Sequence, residues 1–266
     1  MELPGYIASV LIGISLGIIG GGGSILTVPL LVYAFGIDAM QATAYSLFIV
    51  GVTSAAGAVP YFRKGLVNVK TAIVFGIPSI AAVFLTRACL VPAIPREIWQ
   101  MGDYTVTSSS LLMVVFALLM AGASYSMIRK ERPVVAGAAL KQQFNYPLIL
   151  LQGLMAGTLT GLVGAGGGFL IIPALVVLSK LPMKEAVGTS LVIIAVNSLI
   201  GFLGKGGGAQ LNWGFLLLIT AFAIAGIFIG FTLSKRVNGE KLKPAFGWLV
   251  LAMGIYILVR EILPAL

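Results

Sequence analysis

No histidine occurs in the 266 residues, and there is a single cysteine, Cys89. The first absence removes His-based catalytic triads and His-ligated zinc; the second removes any disulfide framework. Cys89 lies in an apolar run and reads as a packed small hydrophobe. Charge is scarce too: charged residues make up 9% of the chain and hydrophobic residues 59%, too lean a mixture to cover a soluble domain of this length. No Asp or Glu lies well inside an apolar run. Asp38 opens one, where it is expected to cap a helix. A carboxylate proton relay therefore has no carrier, and neither a metal site nor a cofactor is expected. Coupling is left among Na⁺ held by carbonyls, a tyrosine such as Tyr45, and protonation of the substrate. The opening MELPGYIASVLIGISLG has no basic n-region or small-residue cleavage site and is read as mature structure.

What fills the chain instead is a series of apolar runs of about twenty residues, the length that crosses a hydrocarbon core of roughly 30 Å. The net charge of +9 sits almost wholly in the loops between them. Basic loops of a membrane protein set its orientation, and no aromatic–basic interleaving points to nucleic acid. The expected surroundings are lipid.

Shifting the sequence by 144 residues lays Gly13–Val32 on Gly157–Val176, with nine of twenty positions identical. Ala42–Gly57 then falls on Ala186–Gly201 with seven of sixteen identical, and Asn68 meets Asn212. The Pro29/Pro173, Ser46/Ser190 and Ser54/Ser198 pairs at one offset exclude mere glycine richness. The chain is a duplication. Residues 1–128 form the first repeat, 129–146 a linker, and 147–266 the second repeat. Each repeat holds a long glycine-broken segment (Ile7–Ala34, Leu148–Leu178) and three ordinary spans. These are Ala39–Pro60, Val69–Leu90 and Val106–Ile128, then Met183–Gly204, Trp213–Ser234 and Pro244–Leu263.

Charge decides whether the glycine-broken segments cross or turn back. If they cross, Lys and Arg divide nine against eight between the two sides; if they turn back, thirteen against four. Only the second division obeys the positive-inside rule. Gly20–Gly23 would also cost a continuous helix about 1 kcal/mol each relative to Ala, and Pro29 roughly 3 more. A hairpin plus three spans is an odd number of crossings, so the second repeat is inverted relative to the first. The expected fold is an all-α polytopic membrane protein of two inverted-topology repeats, each a re-entrant hairpin and three transmembrane helices. The linker is expected in the cytoplasm, and both termini in the periplasm of a bacterial inner membrane.

Inverted repeats with broken helices are a transporter architecture, with substrate at the midplane between the repeats. Glycine lets bare N–H groups approach a ligand, and a helix starting just beyond directs partial positive charge at it. The candidate cradle is Gly20, Gly21, Gly22, Gly23 and Ser24 against Gly164, Ala165, Gly166, Gly167 and Gly168. It would hold an anion without any buried Lys or Arg. The second arm starts near Ser24 or only at Pro29. The alternative is helix packing, which Gly13, Gly17 and Gly21 could serve. A P-loop is excluded by the missing Lys-Ser/Thr. Ser46 and Thr53, on one face of the next helix, and Thr189, Ser190 and Asn197 in the second repeat either complete the site or bond between helices. Arg87, late in a span, is read as snorkelling to the interface, with gating as the other reading.

The paired G-x-x-G-x-G-G motifs, each followed by an apolar run and a proline, carry a family resemblance. They comprise Gly17, Gly20, Gly22, Gly23 and Pro29, and Gly161, Gly164, Gly166, Gly167 and Pro173. Over essentially its whole length the chain resembles the sulfite exporter TauE/SafE family, also called 4-toluene sulfonate uptake permeases. The resemblance implies a secondary transporter of sulfite, sulfonates such as sulfoacetate, or related sulfur-containing anions, moved in either direction. An anion channel is the runner-up, and an intramembrane enzyme third. The partners implied are a small anion and the lipid bilayer, not nucleic acid, with room for a homodimer.

Overall fold

A computed structural model of the chain describes residues 2–95, 97–101, 104–128, 146–164, 166–177, 181–204, 211–234 and 239–262. The linker 129–146 lies outside them except for Tyr146. Helix α1 (Glu2–Ile19) leads into a 3-10 helix (Gly20–Leu26), a short α2 (Thr27–Pro29) and a π-helix (Leu30–Ala34). Next come α3 (Ala39–Arg63) and α4 (Val69–Leu85), the latter running through a π-helix (Thr86–Leu90) into α5 (Val91–Ala93). Strands β1 (Glu97–Met101) and β2 (Tyr104–Thr107) precede α6 (Ser108–Ile128). The second half comprises α7 (Tyr146–Val163), α8 (Gly168–Val177), α9 (Met183–Gly204), α10 (Trp213–Ser234) and α11 (Gly239–Ile262).

The fold is an all-helical polytopic one, with a single addition that the apolar pattern did not announce. Strand β1 pairs antiparallel with β2, from Glu97 opposite Thr107 to Met101 opposite Tyr104. Among the described residues, four helices are long and apolar enough to cross a membrane: Ala39–Arg63, Val69–Ala93, Met183–Gly204 and Trp213–Ser234. The starts of three of them, at Ala39, Val69 and Trp213, are fixed by side chains that take up orphan N–H groups. The Asp38 carboxylate accepts from the Met40 N–H at 2.9 Å, as expected of a cap. Asn68 and Asn212, matched by the 144-residue shift, accept from the Thr71 and Phe215 N–H groups at 3.0 and 3.1 Å.

The first glycine-broken segment brings its end back to its start. Phe35, just past the first return arm, packs its ring on Gly5 and lies 6.2 Å, centroid to centroid, from Tyr6. The end of the arm has come back to the start of α1. In the second half, Ile149 near the start of α7 shares a core cluster with Leu175 at the end of α8.

The packing between halves repeats under exchange of the two. Gly13 faces Ala223 and Gly226, and Gly17 faces Ile227 and Gly230, so α1 and α10 run parallel. Gly153 faces Phe75 and Pro78, and Gly161 faces Val83 and Thr86, so their counterparts α7 and α4 also run parallel. Between α3 and α9, numbers rise along one as they fall along the other: Leu47 meets Gly201, Gly51 meets Leu199, and Gly57 meets Leu191. These equivalent helices are antiparallel. A Cβ at Gly13, Gly17, Gly157 or Gly161 would strike the neighbouring helix, so the four-residue spacing serves close packing. Side chains such as Phe62, Ile77, Leu203 and Trp248 point outward, as a lipid-facing surface requires. Cys89 is exposed as well, a correction to its reading as a packed residue.

Candidate functional site

Gly20 and Gly164 hold the same place in the two repeats and share a left-handed backbone, φ +75° and +74°. That conformation is open to glycine and costly for side-chain-bearing residues. Beyond this point the halves differ. From Gly20 the chain stays wound as a 3-10 helix through Leu26 and does not open into the loop expected of four glycines. In the second half Gly166 and Gly167 are also left-handed, at +68° and +67°, and α8 starts at Gly168, the counterpart of Ser24. The Gly164 N–H is taken by the Thr160 carbonyl at 2.8 Å, so it is not a bare donor. The N–H groups ahead of Ile171, whose own N–H reaches the Gly167 carbonyl at 3.1 Å, form the open N-terminus of α8.

The two turns meet. A Cβ on Gly168 would fall on the Gly21 backbone, and one on Gly21 would fall on Gly168 and Ile194. Gly166 lies against Val50, Ile194 and Ser198, and Gly167 against Thr160. Two of the buried hydroxyls without a partner stand against the second turn, Ser198 at Gly166 and Thr160 at Gly167. Thr53 and Ser54 on α3 and Asn197 and Ser198 on α9 lie between the Gly51–Leu199 and Gly57–Leu191 contacts, all buried. The hydroxyls of Ser46, Thr53, Ser54, Thr160 and Ser198 and the Asn197 Oδ1 have no hydrogen-bond partner. Each such group costs about 1–3 kcal/mol when sealed from water, and a cluster of them calls for an occupant.

The remaining candidate residues divide. Gly22 and Gly23 lie in the 3-10 helix, and Ala165 lies outside the described residues. Ser24 and Ser190 donate their hydroxyl protons to the Gly21 and Val187 carbonyls, three residues back, at 2.7 and 2.8 Å. Ser190 still lies 3.4 Å from where a Cβ on Gly20 would stand. Thr189 is turned elsewhere: its Oγ1 accepts from the Asn68 N–H at 2.9 Å and steadies the start of α4. Asn197 donates through Nδ2 to the Ser79 hydroxyl at 2.6 Å, tying α9 to α4. Thr160 and Ser79 were not singled out from the sequence. The signal was there, because Ser79 falls on the every-fourth stripe Phe75–Ser79–Val83, buried throughout.

Arg87 continues that stripe and is 0% exposed. It does not snorkel. The π-helix that holds it points the guanidinium inward, where Nη1 donates to the Thr43 Oγ1 at 3.1 Å. Nη2 stands 2.7 Å from where a Gly164 Cβ would be. Among the described residues no group of three or more His, Cys, Asp or Glu could hold a metal ion.

A family model described as Sulfite exporter TauE/SafE matches residues 6–257. A "Probable membrane transporter protein" of Xylella fastidiosa is 29% identical over 262 residues, covering 94% of this chain and 92% of its own length. The "Probable membrane transporter protein YdhB" of Bacillus subtilis is 27% identical over 239 residues, covering 88% and 91%. A third, YunE of the same organism, is 22% identical over 255 residues, covering 89% and 91%. No solved structure matches.

Proposed function

Because the chain belongs to the sulfite exporter TauE/SafE family and is a multi-pass membrane protein, we propose that it is a secondary transporter of small anions, sulfite or sulfonates such as sulfoacetate foremost. The observation that carries this reading is the set of buried, unpartnered hydroxyls, with Ser198 and Thr160 against the second glycine turn and Ser46, Thr53 and Ser54 on α3. Hydroxyls donate to an anion as readily as they accept from water, and no carboxylate stands among them to repel it. The open N-terminus of α8 adds partial positive charge from the same side.

The mechanism we propose is alternating access about that crossing. The antiparallel run of α3 against α9, with α1 parallel to α10 and α4 to α7, supports inverted repeats. The return of Phe35 to Gly5 supports hairpins that dip into the bilayer and come back. With the positive-inside rule, the termini lie in the periplasm of a bacterial inner membrane and 129–146 in the cytoplasm. The family and the enclosed, His-free site also weigh against an enzyme. The test is uptake of ³⁵S-sulfite and ³⁵S-sulfoacetate by proteoliposomes. Saturable uptake accelerated by unlabelled anion inside the vesicles fits a transporter; unsaturable conductance makes the protein a channel, and no flux of either anion removes the substrate class.

A further inference from the structure

The two glycine turns are built alike in backbone but not in chemistry. Around Gly164 stand Thr43 and Arg87; the 144-residue shift puts Val187 and Phe231 in their places near Gly20 and Gly17. One turn is therefore lined by a cation and a hydroxyl, the other by hydrocarbon and the Ser190 hydroxyl, whose proton is already given to the Val187 carbonyl. The cation is incompletely engaged. Among the described residues only Nη1 of its nitrogens has a partner, Thr43, while Nε and Nη2 have none and are buried. Those two make up one edge of the guanidinium, whose parallel N–H bonds match two oxygens of a single oxyanion.

Among the described residues no carboxylate is seen to pair with this edge. On α3 the only acid nearby is Asp38, whose oxygens accept from the Met40 N–H at 2.9 Å and the Ser109 hydroxyl at 2.7 Å. The π-helix of Arg87 and α7 contain no acid, and Glu185 lies at the opposite end of α9 from Gly204, which packs on Arg87. Thr43 is ready to share. Its hydroxyl proton goes to the Met40 carbonyl at 2.8 Å, leaving the oxygen to orient Nη1. Gly164, having no Cβ, lets the turn close directly on Nη2, 2.7 Å from where a Cβ would stand.

We infer that Arg87, held by Thr43 and facing Gly164, binds the charged oxyanion end of the substrate, so that anion recognition resides at one of the two glycine turns and not equally at both. This rests on the anion-transport reading and makes it more specific. A sulfite or sulfonate group takes the Nε–Nη2 edge, and the apolar turn at Gly20 and Val187 has no comparable hold on it.

The experiment is thermal unfolding and ³⁵S-sulfite binding by purified protein in detergent, in gluconate buffer, with sulfite, sulfoacetate or chloride added. Wild type should be stabilised by sulfite and sulfoacetate more than by chloride. Arg87→Met, which removes an uncompensated buried charge, should unfold no earlier than wild type without added anion, and should lose both the sulfite-induced shift and about tenfold or more in sulfite affinity. Arg87→Lys should retain part of both. Thr43→Val, should Arg87→Met fail to insert, should weaken sulfite binding severalfold. Phe231→Leu, at the matching place in the other repeat, should leave affinity unchanged. Wild-type sulfite affinity in Arg87→Met or Thr43→Val overturns the assignment while leaving anion transport standing. A wild type that answers to none of these anions overturns the transport reading and this assignment with it.

Discussion

Gly21 and Gly168 lie back to back, so close that a Cβ on either would enter the backbone of the other. These residues belong to different repeats and join the two turns at one point. Gly168→Val should force the turns apart and lower stability by about 1–3 kcal/mol, the usual cost of overpacking. Thermal unfolding in detergent checks the stability, and ³⁵S-sulfite binding per folded molecule should fall as well. Unchanged binding would separate the substrate from the crossing.

Gly13 and Gly157 serve a different purpose, since a Cβ on them would meet the Ala223 and Ser79 carbonyls of neighbouring helices, away from the crossing. Gly13→Ala and Gly157→Ala should each cost about 1–3 kcal/mol but leave sulfite affinity of the folded fraction at the wild-type value. A change in affinity at equal folded fraction would show that these glycines do more than pack helices.

The positive φ of Gly20 and Gly164 makes Ala strained at both, by about 1–3 kcal/mol. The surroundings then separate them. At Gly20 the nearest atoms are a Val187 methyl at 3.0 Å and an Ile172 methyl at 3.3 Å, which can yield. At Gly164 they are Thr43 Cβ at 2.5 Å, the Thr43 carbonyl at 2.6 Å and Arg87 Nη2 at 2.7 Å. Gly164→Ala should therefore lower the unfolding temperature more than Gly20→Ala. Equal losses would mean that backbone strain alone decides.

Thr53 and Ser54 are buried with hydroxyls that meet no partner. Thr53→Val and Ser54→Ala remove a group that costs about 1–3 kcal/mol unpaired. The unfolding temperature should stay level or rise while ³⁵S-sulfite uptake falls about tenfold, the equivalent of one lost interaction near 1.4 kcal/mol. A drop in stability with uptake intact would identify these hydroxyls as structural.

The recurrence of prolines and serines at one offset was legible in the sequence, and the return of Phe35 to Gly5 agrees with the turn-back that the charge counts favour for the first segment. The Asp38 cap was plain because a short polar side chain before an apolar run has few other uses, whereas Asn68 and Asn212 stood out only as a matched pair and prove to be caps as well. Arg87 was misread. Hydropathy places it near a span end, where lysine and arginine usually reach water, whereas a π-helix and the Phe75–Ser79–Val83 stripe turn it inward. The first glycine turn was misjudged as well, since a run of glycines is compatible with a 3-10 helix as well as with a loop, and tertiary packing made the choice. Thr189 looked like part of the site by position and is instead engaged with the Asn68 backbone. Hydrogen bonds between residues 121 apart leave no mark on either segment alone.

The most direct test is the sidedness of single cysteines in a Cys89→Ser background, probed on intact cells with a membrane-impermeant maleimide. Gly36 is exposed with nothing within 4 Å of an added Cβ, and Lys64 is exposed beyond α3. Gly36→Cys is expected to react from outside, on the side of the N-terminus, and Lys64→Cys only after the membrane is opened. Gly36→Cys shielded until permeabilisation, with Lys64→Cys reacting from outside, would contradict the turning-back of the first glycine segment and the inverted pairing of the repeats.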